Sequence, residues 1–202
     1  NFILEHTLEK NNISNQVDNT IYDQYGDKWY TADDDPIALL RQESKIKVPW
    51  VIEKIKSNLK FTTQIKVLDV GCGGGFLSNP LAKAGYLVTG VDTSKESLRV
   101  AQTYDTTNSV IYLEADAYKL PFPDQSFDVV TAMDFLEHVE HPELVIKEVS
   151  RLLKPNGLFI FHTFNRNILA YFVVIKFVEW FVKNTKKNLH ILRLFIKPSE
   201  LK

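Results

Sequence analysis

Apolar and polar positions fall into blocks along this chain, and the rhythm of the blocks changes near residue 60. Residues 1–30 are polar and rich in asparagine, yet Tyr22, Tyr25, Trp29 and Tyr30 interrupt them. Disordered tails are poor in aromatics, so this stretch reads as a helical lead-in that docks on something. Asp33-Asp34-Asp35-Pro36 ends it. Carboxylates favour the positive end of a helix, so a helix over about 37–59 is expected to follow, kinked or restarted at Pro49. From there short apolar runs alternate with amphipathic ones. Residues 66–70, 87–92, 110–113, 127–133 and 158–163 read as strands, and 76–84, 95–103 and 142–153 as helices. Thr93 or Ser94 caps the second of these helices, and the Lys154-Pro155-Asn156-Gly157 turn stops the third. This alternation predicts an α/β domain, its mainly parallel sheet covered by helices on both faces. The expected division is 1–60 as a helical cap and 61–202 as the α/β domain.

A chain of 202 residues holds one domain with a proper core. Its net charge of −1 gives no reason to expect nucleic acid as a partner. The charge is uneven, however: residues from Arg166 onward carry eight Lys/Arg against Glu179 and Glu200. The single cysteine, Cys72, rules out an intrachain disulfide and reads as a small filler between glycines. No basic segment followed by an apolar run marks a signal peptide at the start.

The densest chemistry lies at Asp69-Val70-Gly71-Cys72-Gly73-Gly74-Gly75. A strand that enters a helix through glycines gathers backbone N–H groups and the positive helix end around one small volume. Either a dinucleotide or S-adenosylmethionine would suit such a loop. The dinucleotide fingerprint wants a small third residue where Phe76 stands. Asp69 would repel a pyrophosphate but attract a sulfonium or ammonium. Asp92 ends the following strand, where a carboxylate can accept both ribose hydroxyls of an adenosine. Further on, Asp116 and Ala117 suit an adenine: a short acid for its amino group, a small neighbour for its ring. No Gly-Lys-Ser/Thr follows the loop, which excludes a phosphate-binding P-loop.

The segments VLDVGCGGG, TGVD, ADAYKLPFPDQSFDVV and LLKPNG together resemble a class I S-adenosylmethionine-dependent methyltransferase, over about 66–163. The resemblance implies a Rossmann-like fold, with Gly71, Gly73 and Asp92 holding the cofactor, Asp116 and Ala117 at the adenine, and Met133 beside the methionine moiety. That architecture usually ends in a further strand, helix and strand, so the expectation is a C-terminal part that is absent or untypical.

Asp134, Glu137 and His138 would share one face if their segment were helical. Two carboxylates and an imidazole there could bind a divalent ion, or His138 could take a proton from an acceptor hydroxyl. Equally, Asp134 could be a helix cap and His138 a packing residue. With Phe164-Asn165-Arg166-Asn167 and Phe195-Ile196-Lys197-Pro198, the segment 133–139 is similar to the O-methyltransferases of ubiquinone biosynthesis, which methylate a ring hydroxyl of a polyprenyl catechol or quinol. That family's cofactor-contacting arginine matches Arg41, and its metal site (two glutamates and a histidine, for Mg²⁺) matches Asp134, Glu137 and His138. The sequence departs from the family in having Asp at 134 and in lacking Asn-Pro after Arg41.

Residues 168–182 are largely apolar, with Lys176, Glu179 and Lys183 forming one polar stripe at helical spacing. They are too short and too charged for a bilayer span. They read either as a buried helix or lid, or as an interfacial helix that rests with its basic flank on an anionic membrane through 166–193. The expectation is therefore an enzyme methylating an oxygen of an aromatic, quinol-like small molecule, with His138 as base. It would be cytoplasmic, on the inner face of a membrane (the mitochondrial matrix side in a eukaryote). Methylation of another small metabolite at N or C, or cofactor binding without catalysis, are the competing readings.

Overall fold

The computed structural model describes residues 19–59, 64–167 and 192–201. The apolar segment expected to form a lid or interfacial helix lies outside them. Among the described residues five strands form one sheet: β1 (Lys66–Val70), β2 (Leu87–Asp92), β3 (Ile111–Glu114), β4 (Phe127–Met133) and β5 (Leu153–His162). Their order is β3-β2-β1-β4-β5, and every pairing is parallel. Helices α1 (Lys28–Thr31), α2 (Pro36–Asn58), α3 (Ser78–Lys83), α4 (Lys95–Thr103) and α5 (Pro142–Leu152) surround it. No helix among the described residues is long and apolar enough to cross a membrane.

Side chains alternate across a strand, and here the alternation sorts the core into two layers. Leu68, Val70, Val130 and Ala132 face Val145, Val149 and Leu152 of α5. Val67, Val88 and Val129 face Val51 and Ile55 of α2 and Leu81 of α3. Val67, Leu68, Val129 and Val130 have no exposed surface, and each such burial contributes about 2 kcal/mol. The chain reverses its order of strands between β1 and β4, so the crevice at their carboxyl ends is where an open α/β sheet places its ligand.

Two elements differ from the sequence pattern. α2 runs unbroken through Pro49. Pro49 is exposed and so is Lys45, whose carbonyl loses its helical donor, so water is at hand to take that donor's place. Asp35 starts this helix, its carboxylate accepting the Ala38 N–H at 3.0 Å. The second difference is β5, which begins at Leu153 rather than after the Lys154–Gly157 turn. Phe127 pairs with Leu153 and Val129 with Leu158, so the turn is absorbed as a bulge within the strand. Asp128 pins it, accepting from Lys154 Nζ at 2.7 Å and from the Lys66 N–H at 2.8 Å.

A third apolar cluster joins the lead-in to the sheet. Trp29 and Ile37 pack with Val100 of α4, and Tyr22, Tyr25, Tyr30 and Phe76 pack against them. Tyr30 stacks on Tyr104 at 3.7 Å between centroids, and its hydroxyl donates to the Gly74 carbonyl at 2.9 Å. The lead-in thus docks on the glycine loop itself.

Candidate active site

β1 passes into α3 through the glycine loop, which is held against the end of β2. The Gly71 and Cys72 N–H groups donate to the Val91 carbonyl at 2.9 and 3.0 Å. The Gly73 N–H donates to one Asp92 oxygen at 2.9 Å, and the Ser94 N–H to the other at 2.9 Å. A carboxylate offers about four acceptor positions, so Asp92 keeps capacity for a ribose diol. Gly71 has φ 70°, and a Cβ there would stand 2.1 Å from the Phe135 ring. Gly73 has φ 49°, and its added Cβ would meet Trp29 at 2.7 Å. The cradle therefore demands glycine twice over, for backbone conformation and for space.

Two adjoining cavities run along this edge. One is lined by Gly71, Gly73, Asp92, Met133, Asp134 and Lys47. The other continues past Gly71 and Asp92 to Asp116 and Ala117. Phe135 and His138 line both. Gly71 and Asp92 thus line both parts of this groove, with Gly73 and Met133 in the first and Asp116 and Ala117 in the second.

Asp69 and Arg41 have other work than the sequence pattern predicts. Asp69 reaches the cleft wall but is only 2% exposed. Its oxygens accept hydroxyls from Ser78 at 2.6 Å and Thr131 at 2.8 Å. Burial pushes its carboxyl up to about 6 against those hydrogen bonds. Asp69 therefore fastens β1 to α3 and β4 beneath the loop. Arg41 lines neither cavity: its guanidinium donates to the Trp29 carbonyl at 3.1 Å and to the Ala32 carbonyl. It clamps α1 to α2 through carbonyls at the end of α1.

Nor do Asp134, Glu137 and His138 share a helical face. Only Leu136–His138 make a 3₁₀ turn, and Asp134 precedes it with φ 53°. Asp134 instead meets Lys47 Nζ at 2.6 Å and His162 Nδ1 at 2.5 Å. Burial raises its carboxyl, but these two partners outweigh that and hold it below the ordinary value. Glu137 has no exposed surface and lines neither cavity. Burial pushes its carboxyl up to about 7. His138 meets Tyr22 edge-on, at 5.9 Å between centroids. No trio of His, Cys, Asp or Glu among the described residues is arranged to hold a metal. The donor set does not fit the expected Mg²⁺, since one carboxylate is already paired and another is walled off.

Lys47 lines the site and His162 holds Asp134 there, although the sequence pattern singled out neither. His162 could have been found as the last residue of β5, at the ligand edge of the sheet. Lys47 carried only the signal of standing four residues after Glu43.

A model described as a methyltransferase domain matches residues 68–161. The ubiquinone biosynthesis O-methyltransferase of Rickettsia felis is 34% identical over 182 residues, which are 89% of this chain and 74% of that protein. Its namesake in Pseudomonas putida is 39% identical over 168 residues, covering 80% and 69%. Among solved structures, an S-adenosylmethionine-dependent methyltransferase from Methanosarcina mazei superposes with a TM-score of 0.51 at 34% identity, over 56% of this chain and 58% of that one. A Pyrococcus horikoshii protein gives a TM-score of 0.56 at 32% identity, over 75% and 65%. Groove and sheet together make this an S-adenosylmethionine-dependent methyltransferase with the class I α/β fold. Within that class the chain belongs to the ubiquinone biosynthesis O-methyltransferase family.

Proposed function

We propose that this chain methylates a hydroxyl oxygen of a catechol- or quinol-type ring on the route to ubiquinone. The observation that supports this acceptor is the lining of the cavity that includes Met133. In it the polar groups of Lys47, Asp134 and His138 occur together with the aromatic rings of Tyr22, Trp29 and Phe135. A hydroxylated ring needs both: faces to lie against and polar groups at its oxygens.

When bound, S-adenosylmethionine supplies a methyl carbon on a sulfonium, and the acceptor oxygen forms its bond to that carbon as the C–S electron pair returns to sulfur. Asp92, Gly71 and Gly73 would hold the adenosine, with Asp116 and Ala117 at the base and Met133 along the methionine chain. His138 would take the proton that the acceptor hydroxyl loses and pass it to water. The rest is positioning, which for two held reactants is the larger part of the acceleration. The same reading carries the membrane contact of 166–193, since a polyprenyl acceptor resides in the bilayer. Flotation with anionic vesicles tests that contact, and a wild-type chain that stays unbound excludes it.

The main test uses a soluble catechol and S-adenosylmethionine. Methylated catechol is expected, and His138→Ala should lower turnover about 100-fold with cofactor affinity nearly unchanged. Equal loss of turnover and cofactor affinity would make His138 a packing residue. Cofactor binding with no methylated catechol would remove the proposed acceptor.

A further inference from the structure

We propose that the Lys47 ammonium is the resident cation at the acceptor end of the groove, so that methyl transfer by this chain proceeds without a divalent metal. This rests on the acceptor reading above and deepens it. Lys47 lies on the cleft side of α2 with Leu40, Ser44 and Val48. Its Nζ stands 2.6 Å from Glu43 Oε2 and 2.6 Å from Asp134 Oδ2. An ammonium has three N–H bonds, and these contacts use two among the described residues. The third is available to an acceptor oxygen.

The same contacts explain why a divalent ion does not belong here. Asp134 has one oxygen on Lys47 and the other on His162, so an ion bound at either oxygen would stand beside one of these two partners. An ion at Asp134 would have to displace Lys47 or sit against its charge. Glu137, the second expected ligand, lies behind the wall of the groove with no exposed surface. The Lys47 side chain is 19% exposed, shielded from bulk water yet open to the groove.

In the reaction a positive group near the acceptor favours the deprotonated oxygen. The hydroxyl proton leaves to the base and then to water. The oxygen's electron pair closes the new C–O bond, the C–S pair goes to sulfur, and a neutral ether and a neutral thioether result. Lys47 keeps its proton throughout. Its contribution is to favour the deprotonated oxygen over the hydroxyl, and that charge is spent as the new C–O bond forms.

The experiment compares wild type, Lys47→Met and Lys47→Arg at saturating S-adenosylmethionine with a soluble catechol, in EDTA and in Mg²⁺. Mn²⁺ binding is followed in parallel by electron paramagnetic resonance, and cofactor affinity by calorimetry. Wild-type turnover should be the same in both buffers, and wild type should bind no Mn²⁺ stoichiometrically. Lys47→Met should lose about 100-fold in turnover with cofactor affinity within about twofold, while Lys47→Arg keeps turnover within about tenfold of wild type. Chelator-sensitive turnover restored by Mg²⁺, stoichiometric Mn²⁺ binding, or full turnover in Lys47→Met would each overturn the proposal. If no variant methylates the catechol, the acceptor reading has failed instead. The Mn²⁺ titration still decides whether the cation here is a metal.

Discussion

Glu137 carries a carboxyl group with no exposed surface, and neither of its oxygens nor the nearby Thr163 hydroxyl has a hydrogen bond of good geometry among the described residues. Its carboxyl titrates near 7 in the folded chain instead of the ordinary 4.5. Between those two values the folded state holds a proton that the unfolded state has released. Stability from this group is therefore full below about pH 4.5 and is lost as pH rises through 7, by about 3 kcal/mol. Glu137→Gln cannot ionise, so urea unfolding of this variant between pH 4.5 and 8 should lack that decline; parallel curves for variant and wild type would refute the assignment. Single residues were unevenly legible in the sequence. The places of Gly71 and Asp92 at the groove could be read because they need only backbone space and a carboxylate at a strand end. Asp69 and Arg41 could not, since a charge in a sequence does not say which neighbour will claim it. For Asp69 the claimants are Ser78 and Thr131, the latter 62 residues away. For Arg41 they are backbone carbonyls, which leave no trace in a residue pattern at all.

At the scale of elements the local rules were mostly sufficient. β2, β4 and α4 have the bounds that alternation and capping predict, with Ser94 accepting from the Ser97 N–H at 3.1 Å. β2 and β4 lie inside the sheet, where both faces are covered and the apolar signal is continuous. Misreadings arise where a tertiary contact overrides a local preference. Lys154–Gly157 has the composition of a turn, yet Asp128 captures Lys154 and keeps the segment on the sheet. The segment 134–138 has helical spacing, yet its first residue turns left-handed to reach His162 and Lys47. An aspartate tolerates that conformation better than most residues, because its short side chain can bond locally.

The whole molecule places a cofactor cradle in the switch point of a parallel sheet and lays its N-terminal aromatics over it. That arrangement makes the lead-in an optical probe. Trp29 is 5% exposed and is one of three tryptophans, with Trp50 and Trp180. Its indole rests on Gly73 and Gly74, the loop that a bound adenosine would approach. A ligand entering the groove changes the polarity and packing around that ring, whereas Trp50 sits 45% exposed on the outer side of α2. Titrating wild type with S-adenosylmethionine should therefore give a saturable change in tryptophan emission. Trp29→Phe should lose that change while calorimetry still registers binding. Constant emission at saturating cofactor would mean that the aromatic cover and the cradle do not sense each other. If the signal is there, stopped-flow emission makes the docking of these residues onto the loop a clock for cofactor arrival and product departure, readable without any acceptor present.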